Sequence, residues 1–272
     1  KNGKIFDPQS GVSDLKNKIL KFIGDPEIRI EEDYLRIIRY LRFATQYDCE
    51  IDQSTLKAVK VNLNGIKNIS KERILSELFK IFKLSNIEKI YSNNIICELF
   101  LLIFPELKYV SRLKEWKLIK NFDLNENFIL ATILLDKTNN HEYFCHKYKT
   151  SNEIKKYLNS IQSVYVEICN DKNFLNKNFK KNIYHYGKPT LKQARILSFL
   201  DQKKVNFDKL KRDIEKIETI SLPKFPYDGK YLINKGYNEG KEVGELLKLL
   251  ENSWIESDFK LSAEKEKLIL KK

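Results

Sequence analysis

The chain has 272 residues, in which 50 Lys and Arg outnumber 37 Asp and Glu and give a formal net charge of +13. Its 42% hydrophobic residues, including 16 Phe and 14 Tyr, are enough to fill a core, which excludes a disordered tail. The basic excess favours a polyanionic partner, either nucleic acid or an acidic membrane surface.

The N-terminal part of the chain predicts short elements around two prolines. Residues 4–7 predict the end of a strand pair, and residues 8–13 predict its turn. Residues 14–22 predict a helix with Leu15, Ile19 and Leu20 on one side, which Pro26 ends. The next helix is predicted over 31–47, because carboxylates at its start suit the positive end of the helix dipole.

Beyond residue 50 the sequence predicts helices almost throughout. Residues 52–61 predict a short helix, and Ser70 is predicted to cap another that continues to Phe82. The apolar run 95–104 predicts a buried helix and no membrane partner, since a bilayer span needs roughly 20 residues. Further helices are predicted across 85–220, followed by a turn at 236–240 and a helix over 241–250. The predicted fold class is all-α and multi-helical, with a short β remnant at the N-terminus.

The cysteines predict neither a disulfide framework nor a metal site. Cys49, Cys97, Cys145 and Cys169 are far apart and form no Cys-x-x-Cys pair, which is typical of a reducing cytoplasm. Two histidines flank Cys145, but they are five positions apart, which is poor ligand spacing. No metal ligands are therefore predicted, and the predicted location is the cytoplasm.

Asp33 and Arg36 form the first candidate functional pair. Residues three apart on a helix share a face, so the carboxylate could accept from an exocyclic amino group while the guanidinium donates to a ring nitrogen or carbonyl. Cytosine and adenine offer an amino group beside an acceptor nitrogen, whereas uracil and guanine present the inverse pattern. The pair could thus accept C and A. A surface ion pair of less than about 1 kcal/mol is the alternative that the two residues alone leave open.

Two further segments could contact phosphates. Residues 171–195 contain seven basic residues and one acid, with Lys180 and Lys181 beside aromatic side chains that could stack on bases. The alternative is a solvated Lys-rich helix whose aromatic side chains point inward.

Glycines recur at 229, 236, 240 and 244, and a glycine turn before the helix that begins at Lys241 predicts an anion site. Tight helix–helix packing is the alternative reading of those glycines.

Four blocks, in this order and spacing, resemble the bacterial tRNA nucleotidyltransferase (CCA-adding enzyme) and poly(A) polymerase family. They are DPQSGVSDL and IGDP within 7–26, EEDYLRIIR at 31–39, ISKERI and EL within 69–78, and the glycine ladder at 225–247, which is followed by Trp254 and Ile255. The first three resemble the family's third, fourth and fifth conserved motifs, and the last resembles its C-terminal RNA-binding region. The resemblance divides the chain into the end of a head and a hinge (1–25), a neck (26–84), a helical body (85–220) and an RNA-binding tail (221–272).

The resemblance also implies roles for individual residues. Asp33 and Arg36 would read the nucleobase, and Arg39 would line the same pocket. The supporting residues would be Glu32, Asp7, Gly11, Asp14, Glu72 and Arg73. Of these, Glu72 and Arg73 would buttress the base-reading helix. In the tail and the basic segment, RNA would contact Gly229, Gly236, Gly240, Lys241, Lys180 and Lys181.

The sequence departs from the family at its catalytic signature. The family holds Mg²⁺ with a Gly-Ser turn and a strand-borne pair of Asp residues, and here no Gly-Ser precedes an Asp-x-Asp. Those motifs are expected before residue 1, in a head that is truncated, separately encoded or lost. The intact enzyme would use ATP and CTP to add CCA to tRNA, with Mg²⁺ bound outside this chain, and this chain alone should not transfer nucleotides. Poly(A) addition, an inactive RNA-binding module and a helical scaffold are the alternatives.

Overall fold

A computed structural model describes residues 3, 5–171, 173–202 and 204–270. Within these ranges the chain forms seventeen α-helices and two short strands, which confirms the all-α fold class with a minor β element. It divides into two compact units: unit 1 contains residues 1–165 and 196–205, and unit 2 contains residues 166–195 and 206–272. The division into head end, neck, body and tail stays a prediction.

The first half of unit 1 surrounds a two-residue strand pairing. β1 (Ile19–Leu20) pairs in parallel with β2 (Glu50–Ile51), so that Ile19 lies opposite Glu50 and Leu20 opposite Ile51. The helices of this half are α1 (Gly11–Lys16), α2 (Pro26–Glu32), α3 (Leu35–Tyr47), α4 (Gln53–Asn62) and α5 (Lys71–Phe82), with a 3-10 helix at Leu63–Asn68. Helix α2 packs against α4, and α3 packs against α5.

The second half of unit 1 is helical and encloses an aromatic core. Its elements are α6 (Lys89–Ser92), α7 (Asn94–Ile103), a 3-10 helix at Val110–Glu115, α8 (Trp116–Ile119), α9 (Glu126–Leu134), α10 (Asn140–Tyr148) and α11 (Asn152–Asn170). Phe100, Phe104, Phe128 and Phe144 are fully buried. The apolar run 95–104 therefore forms the buried helix that was predicted, and none of the described helices has the length and apolar composition of a membrane crossing.

Unit 2 contains α12 (Phe179–Tyr186), α13 (Lys188–Leu200), α14 (Phe207–Thr219), α15 (Gly229–Asn234), α16 (Lys241–Glu256) and α17 (Ala263–Leu270). The boundaries between the units fall within α11, within α13 and between α13 and α14, so that residues 196–200 of α13 belong to unit 1. One core cluster of unit 2 contains Leu232, Val243 and Leu250. A second is built on Trp254, whose ring lies 5.6 Å from that of Tyr184.

Several helix starts are where the sequence predicts them, because a side chain caps the free amides of the first turn. The same kind of cap opens α2, a helix that was not predicted separately, where the Asp25 carboxylate accepts from the amide of Ile28. Asp52 accepts from the amides of Ser54 and Thr55 at 2.8 and 3.2 Å and opens α4. Ser70 opens α5 as predicted, and the turn at 236–240 precedes α16, which extends six residues beyond the predicted end.

Three of the predicted elements are wrong. Of the strand at 4–7, Lys4 lies outside the described residues, and 5–7 form no strand and leave Phe6 exposed. The helix at 14–22 is instead α1 followed by β1, because Lys18 takes a positive φ of 55° and its carbonyl accepts from the amide of Glu50. The helix at 31–47 is broken at Asp33, whose backbone is extended (φ −156°, ψ 102°).

Candidate nucleic-acid interface

Asp33 and Arg36 are brought together by a turn and not by one helix face, which corrects the geometry assumed from their spacing. Asp33 ends α2, and its carbonyl accepts from the amide of Arg36 at 2.9 Å. Its carboxylate Oδ1 accepts from the amide of Leu35 at 3.2 Å, where α3 begins. The junction therefore holds an acceptor and a donor side chain three residues apart, and both are about one quarter exposed.

Arg73 of α5 holds the Asp33 carboxylate. Its Nη2 donates to Oδ1 and Oδ2 at 3.2 and 2.9 Å. Forty residues separate the partners in sequence, and the packing of α3 against α5 brings them together. A carboxylate offers about four acceptor positions, so Asp33 keeps the capacity to accept from a further donor.

The Arg36 guanidinium is oriented by two acceptors that both belong to α2. Its Nη1 donates to Glu32 Oε2 and to the carbonyl oxygen of Arg29, both at 2.5 Å. The hydrogen bond from Arg36, followed by that from Arg29, holds the pKa of Glu32 below its ordinary value. All the side-chain hydrogen bonds that the structure describes for Arg36 start at Nη1, so Nε and Nη2 are left to donate to a ligand.

Arg39 lies one turn further along α3 and faces a different carboxylate. Its Nε is 3.5 Å from Glu77 Oε1, while Arg42 Nε donates to Glu77 Oε2 at 3.0 Å and Lys80 adds a third cation at 2.8 Å. Glu77 is only 2% exposed, whereas Arg39 is half exposed. Arg39 thus follows the Asp33–Arg36 junction closely in sequence, but its ion pair is with Glu77 of α5.

Sequence reasoning missed Glu77 as the centre of a charge cluster. The signal was available, since Arg39 and Arg42 are three residues apart and Glu77 and Lys80 have the same spacing on α5. What the sequence could not show is that the two helices pack against each other. It also gave no sign that Gly65 underlies the ring of Tyr34.

The remaining supporting residues lie around α1 and at the start of α5. The Asp7 carboxylate accepts from the amides of Gly11 and Val12 at 2.7 and 2.8 Å and so caps α1. Asp14 pairs with Lys21 at 2.8 Å. Gly11, Asp14 and Lys21 are among the residues that line a cavity of about 470 Å³. Glu72 is exposed in the first turn of α5, next to Arg73.

In unit 2 the glycine ladder is a turn and not a helix-packing surface. Gly236 and Gly240 have φ values of +93° and +144°, which side-chain-bearing residues rarely adopt. Gly244 lies in α16, and a side chain there would meet nothing within 4 Å. Tight packing of these three glycines against another helix is therefore wrong. Gly229 begins α15, and the exposed Lys241 begins α16.

The basic segment 171–195 is partly neutralised within unit 2. Lys181 is 17% exposed and donates to Glu256 at 2.8 Å, whereas Lys180 is exposed with no ion pair among the described residues. The ring of Tyr184 packs on Trp254, so this aromatic side chain points inward. Lys180 is thus better placed than Lys181 to meet a phosphate.

No cluster of three or more His, Cys, Asp or Glu side chains in the described parts of the chain could hold a metal ion. The donor set that Mg²⁺ requires, several oxygen ligands around one point, is therefore not assembled by these residues. The carboxylates at and near the junction are bonded to arginine side chains instead, Glu32 to Arg36, Asp33 to Arg73 and Glu77 to Arg42.

Comparison with known families gives two matches. Residues 120–271, more than half of the chain, match a family described as tRNA nucleotidyltransferase domain 2. Residues 48–110 match "Probable RNA and SrmB-binding site of polymerase A". The second match contains α4 and α5, including Arg73 and Glu77.

Known proteins resemble most of the chain. A CCA-adding enzyme of Streptococcus thermophilus is 27% identical to this chain, in an alignment that covers 94% of this chain and 64% of that protein. A Bacillus stearothermophilus CCA-adding enzyme solved with CTP has a TM-score of 0.58 at 17% identity, over 93% of this chain and 65% of the other. A Thermotoga maritima CCA-adding enzyme solved with tRNA has a TM-score of 0.57 at 20% identity, over 96% of this chain and 66% of the other.

The matching proteins share the same family, and the chain covers a similar fraction of each of them. The chain spans between 61% and 64% of the length of three curated relatives that match it in sequence. The solved structures, at or below 20% identity, show that the fold is shared. The family match over more than half of its length establishes that the chain belongs to the tRNA nucleotidyltransferase/poly(A) polymerase family.

Proposed function

We propose that this chain is the base-selecting and RNA-binding portion of a template-independent nucleotidyltransferase that adds CCA to tRNA 3′ ends. Family membership and the relatives named CCA-adding enzymes support the reaction class. The observation that carries the assignment is the junction at which Asp33 and Arg36 lie three residues apart, each fixed by a different neighbour.

The junction suits the edge of cytosine or adenine. Asp33 would accept from the exocyclic amino group, and Arg36 would donate from Nε or Nη2 to the adjacent ring nitrogen. Arg73 and Glu32 would keep the two groups in place, since each is already bonded to one of them. Uracil and guanine would place a carbonyl opposite the carboxylate and an N–H opposite the guanidinium, so both contacts would be lost. Arg39, which is half exposed one turn further along α3, would line the same pocket.

RNA would be held by the basic surface of the chain. Lys180 and the turn from Gly236 to Lys241 offer exposed cationic and amide donors in unit 2. A net charge of +13 supports a phosphate partner of this kind. The proposed partner is tRNA, and the proposed location is the cytoplasm.

The chemical step is assigned to residues outside this chain. In the family, attack of the RNA 3′-OH on the α-phosphate of ATP or CTP requires Mg²⁺, and the described residues assemble no metal site. A catalytic head, in the same polypeptide or separately encoded, would supply it. The chain mixed with labelled nucleotides, Mg²⁺ and tRNA lacking CCA should therefore show no incorporation, and incorporation of C and A would overturn this part of the proposal.

Base selection is tested by binding. Dissociation constants of CTP, ATP, UTP and GTP should be measured for the chain and for Asp33→Ala, with Glu98→Ala as control because Glu98 forms an exposed ion pair with Lys60. A bidentate contact discriminates by about 1–3 kcal/mol, so CTP and ATP should bind roughly 5- to 150-fold more tightly than UTP and GTP. Asp33→Ala should abolish this preference, and Glu98→Ala should keep it. A preference that survives Asp33→Ala would refute the assignment.

Poly(A) addition is the second candidate, because the family description that matches residues 48–110 refers to polymerase A. The same measurement separates the two reactions. Tight binding of both CTP and ATP supports CCA addition, whereas tight binding of ATP alone supports poly(A) addition. Salt-dependent tRNA binding with no nucleotide preference would indicate an RNA-binding module.

A further inference from the structure

Tyr34 lies in the middle of the base-reading junction, and its ring is pressed against a glycine from another part of unit 1. Gly65 belongs to the 3-10 helix at Leu63–Asn68. A Cβ atom added at position 65 would overlap the Cδ1, Cε1 and Cζ atoms of the Tyr34 ring. Both residues are half-buried, and the ring occupies the space that any other side chain at position 65 would need.

The ring contact is a second attachment of the junction to the segment that leads into α5. The carbonyl of Asp33 accepts from the amide of Arg36 at 2.9 Å, and that of Tyr34 accepts from the amide of Ile37 at 3.1 Å. These two bonds define the turn that carries the candidate base-reading side chains. Arg73 holds the turn through the Asp33 carboxylate, and Gly65 meets it through the Tyr34 ring.

We propose that Gly65 and Tyr34 are positioning residues that fix the turn between Asp33 and Arg36, with Gly65 required because only a residue without a side chain lets the Tyr34 ring seat there. Neither residue needs to touch the nucleotide. The inference rests on the proposed function only for its consequence, which is base selection. The positioning itself can be measured without any ligand.

The competing outcome is that the Tyr34 ring swings into solvent when position 65 gains a methyl group. Rotation of the Tyr34 side chain to another χ1 rotamer would move the ring away from position 65. In that case the backbone of the turn would be unaffected, and Gly65 would have no positioning role. The experiment must therefore report on the turn itself and not on overall stability.

Amide hydrogen exchange at Arg36 and Ile37, measured by NMR, reports on the turn. It should be compared in the unaltered chain, Gly65→Ala, Tyr34→Ala and the double variant, with Gly244→Ala as the matched control in open space. Gly65→Ala should accelerate exchange at both amides by about fivefold or more, the lower end expected for forcing a methyl group into an occupied contact. In the Tyr34→Ala background the same substitution should add nothing, because the ring it would strike is gone.

Nucleotide preference provides the second readout. The ratio of CTP to UTP affinity should fall in Gly65→Ala and remain unchanged in Gly244→Ala. Unaltered exchange at Arg36 and Ile37 in Gly65→Ala would overturn the positioning role, as would an equal acceleration in the Tyr34→Ala background. Absence of any base preference in the unaltered chain would instead defeat the proposed function, while the exchange data would still decide whether Gly65 positions the turn.

Discussion

Replacing Glu77 by Gln should destabilise unit 1 measurably, because this carboxylate is the buried centre of three cations. It is 2% exposed and lies 3.0 Å from Arg42 Nε, 2.8 Å from Lys80 Nζ and 3.5 Å from Arg39 Nε. Gln keeps the shape and one acceptor oxygen but removes the negative charge. The variant therefore isolates the electrostatic part of the contact between α3 and α5.

The size of the effect follows from the exposure of the partners. Arg39 and Lys80 are about half exposed, so each of those pairs contributes at most about 1 kcal/mol and loses much of it to solvent screening. Arg42 is 17% exposed, and a hydrogen bond to a charged group contributes about 1.5–3 kcal/mol. The neutral hydrogen bond that Gln retains offsets about 1 kcal/mol of the loss. We expect the free energy of unfolding of unit 1 to fall by about 2 kcal/mol at pH 7.

The loss should depend on pH in a defined direction. Burial acts to raise the pKa of Glu77, but hydrogen bonds from Lys80 and Arg42 outweigh it and hold that pKa below its ordinary value of 4.5. A carboxyl group with a lowered folded-state pKa stabilises the fold fully above its unfolded-state pKa, and that contribution disappears as pH falls through the folded-state pKa. The difference between the unaltered chain and Glu77→Gln should therefore be constant near neutrality and shrink below about pH 4.5.

Urea unfolding followed by tryptophan fluorescence measures this. The two tryptophans lie in different units, so a Trp254→Phe background leaves Trp116 as the reporter of unit 1. The matched control is Glu98→Gln, whose exposed pair with Lys60 should contribute less than about 1 kcal/mol. A change below about 0.5 kcal/mol in Glu77→Gln, or a loss of equal size at pH 3.5 and pH 7, would refute this account of the cluster.

Five further variants have expected outcomes. Asp52→Ala should lower the stability of unit 1 by about 1–2 kcal/mol in the same assay, because two backbone amides of α4 lose their acceptor. Gly236→Ala should destabilise unit 2 by about 1 kcal/mol because its φ is +93°, whereas Gly244→Ala should stabilise α16 by about 0.5–1 kcal/mol, as thermal unfolding would show. Lys180→Ala should weaken tRNA binding and reduce the slope of log affinity against log salt by about one, whereas Lys181→Ala, which breaks a bond to Glu256, should mainly affect stability.

The sequence by itself determined the features that depend on neighbours along the chain. Asp52 and Ser70 identify the starts of α4 and α5 because a capping side chain acts on amides two or three residues away. Glycines at 236 and 240 identify the turn before α16, since few other residues adopt a positive φ. The ordered motifs also pointed to the family that the comparisons confirm.

Only the tertiary structure decided how the candidate site is assembled. The spacing of Asp33 and Arg36 suggested a single helix face, yet the backbone at Asp33 is extended, and the Asp33 carboxylate is held by Arg73, forty residues away. The partners of Glu77 come from two helices, and β1 pairs with a strand that lies beyond two intervening helices. No pattern in the neighbouring sequence distinguishes Gly65, because its contact is with the ring of Tyr34 in a distant segment. Contacts between distant segments depend on how the helices pack, which no local pattern of residues specifies.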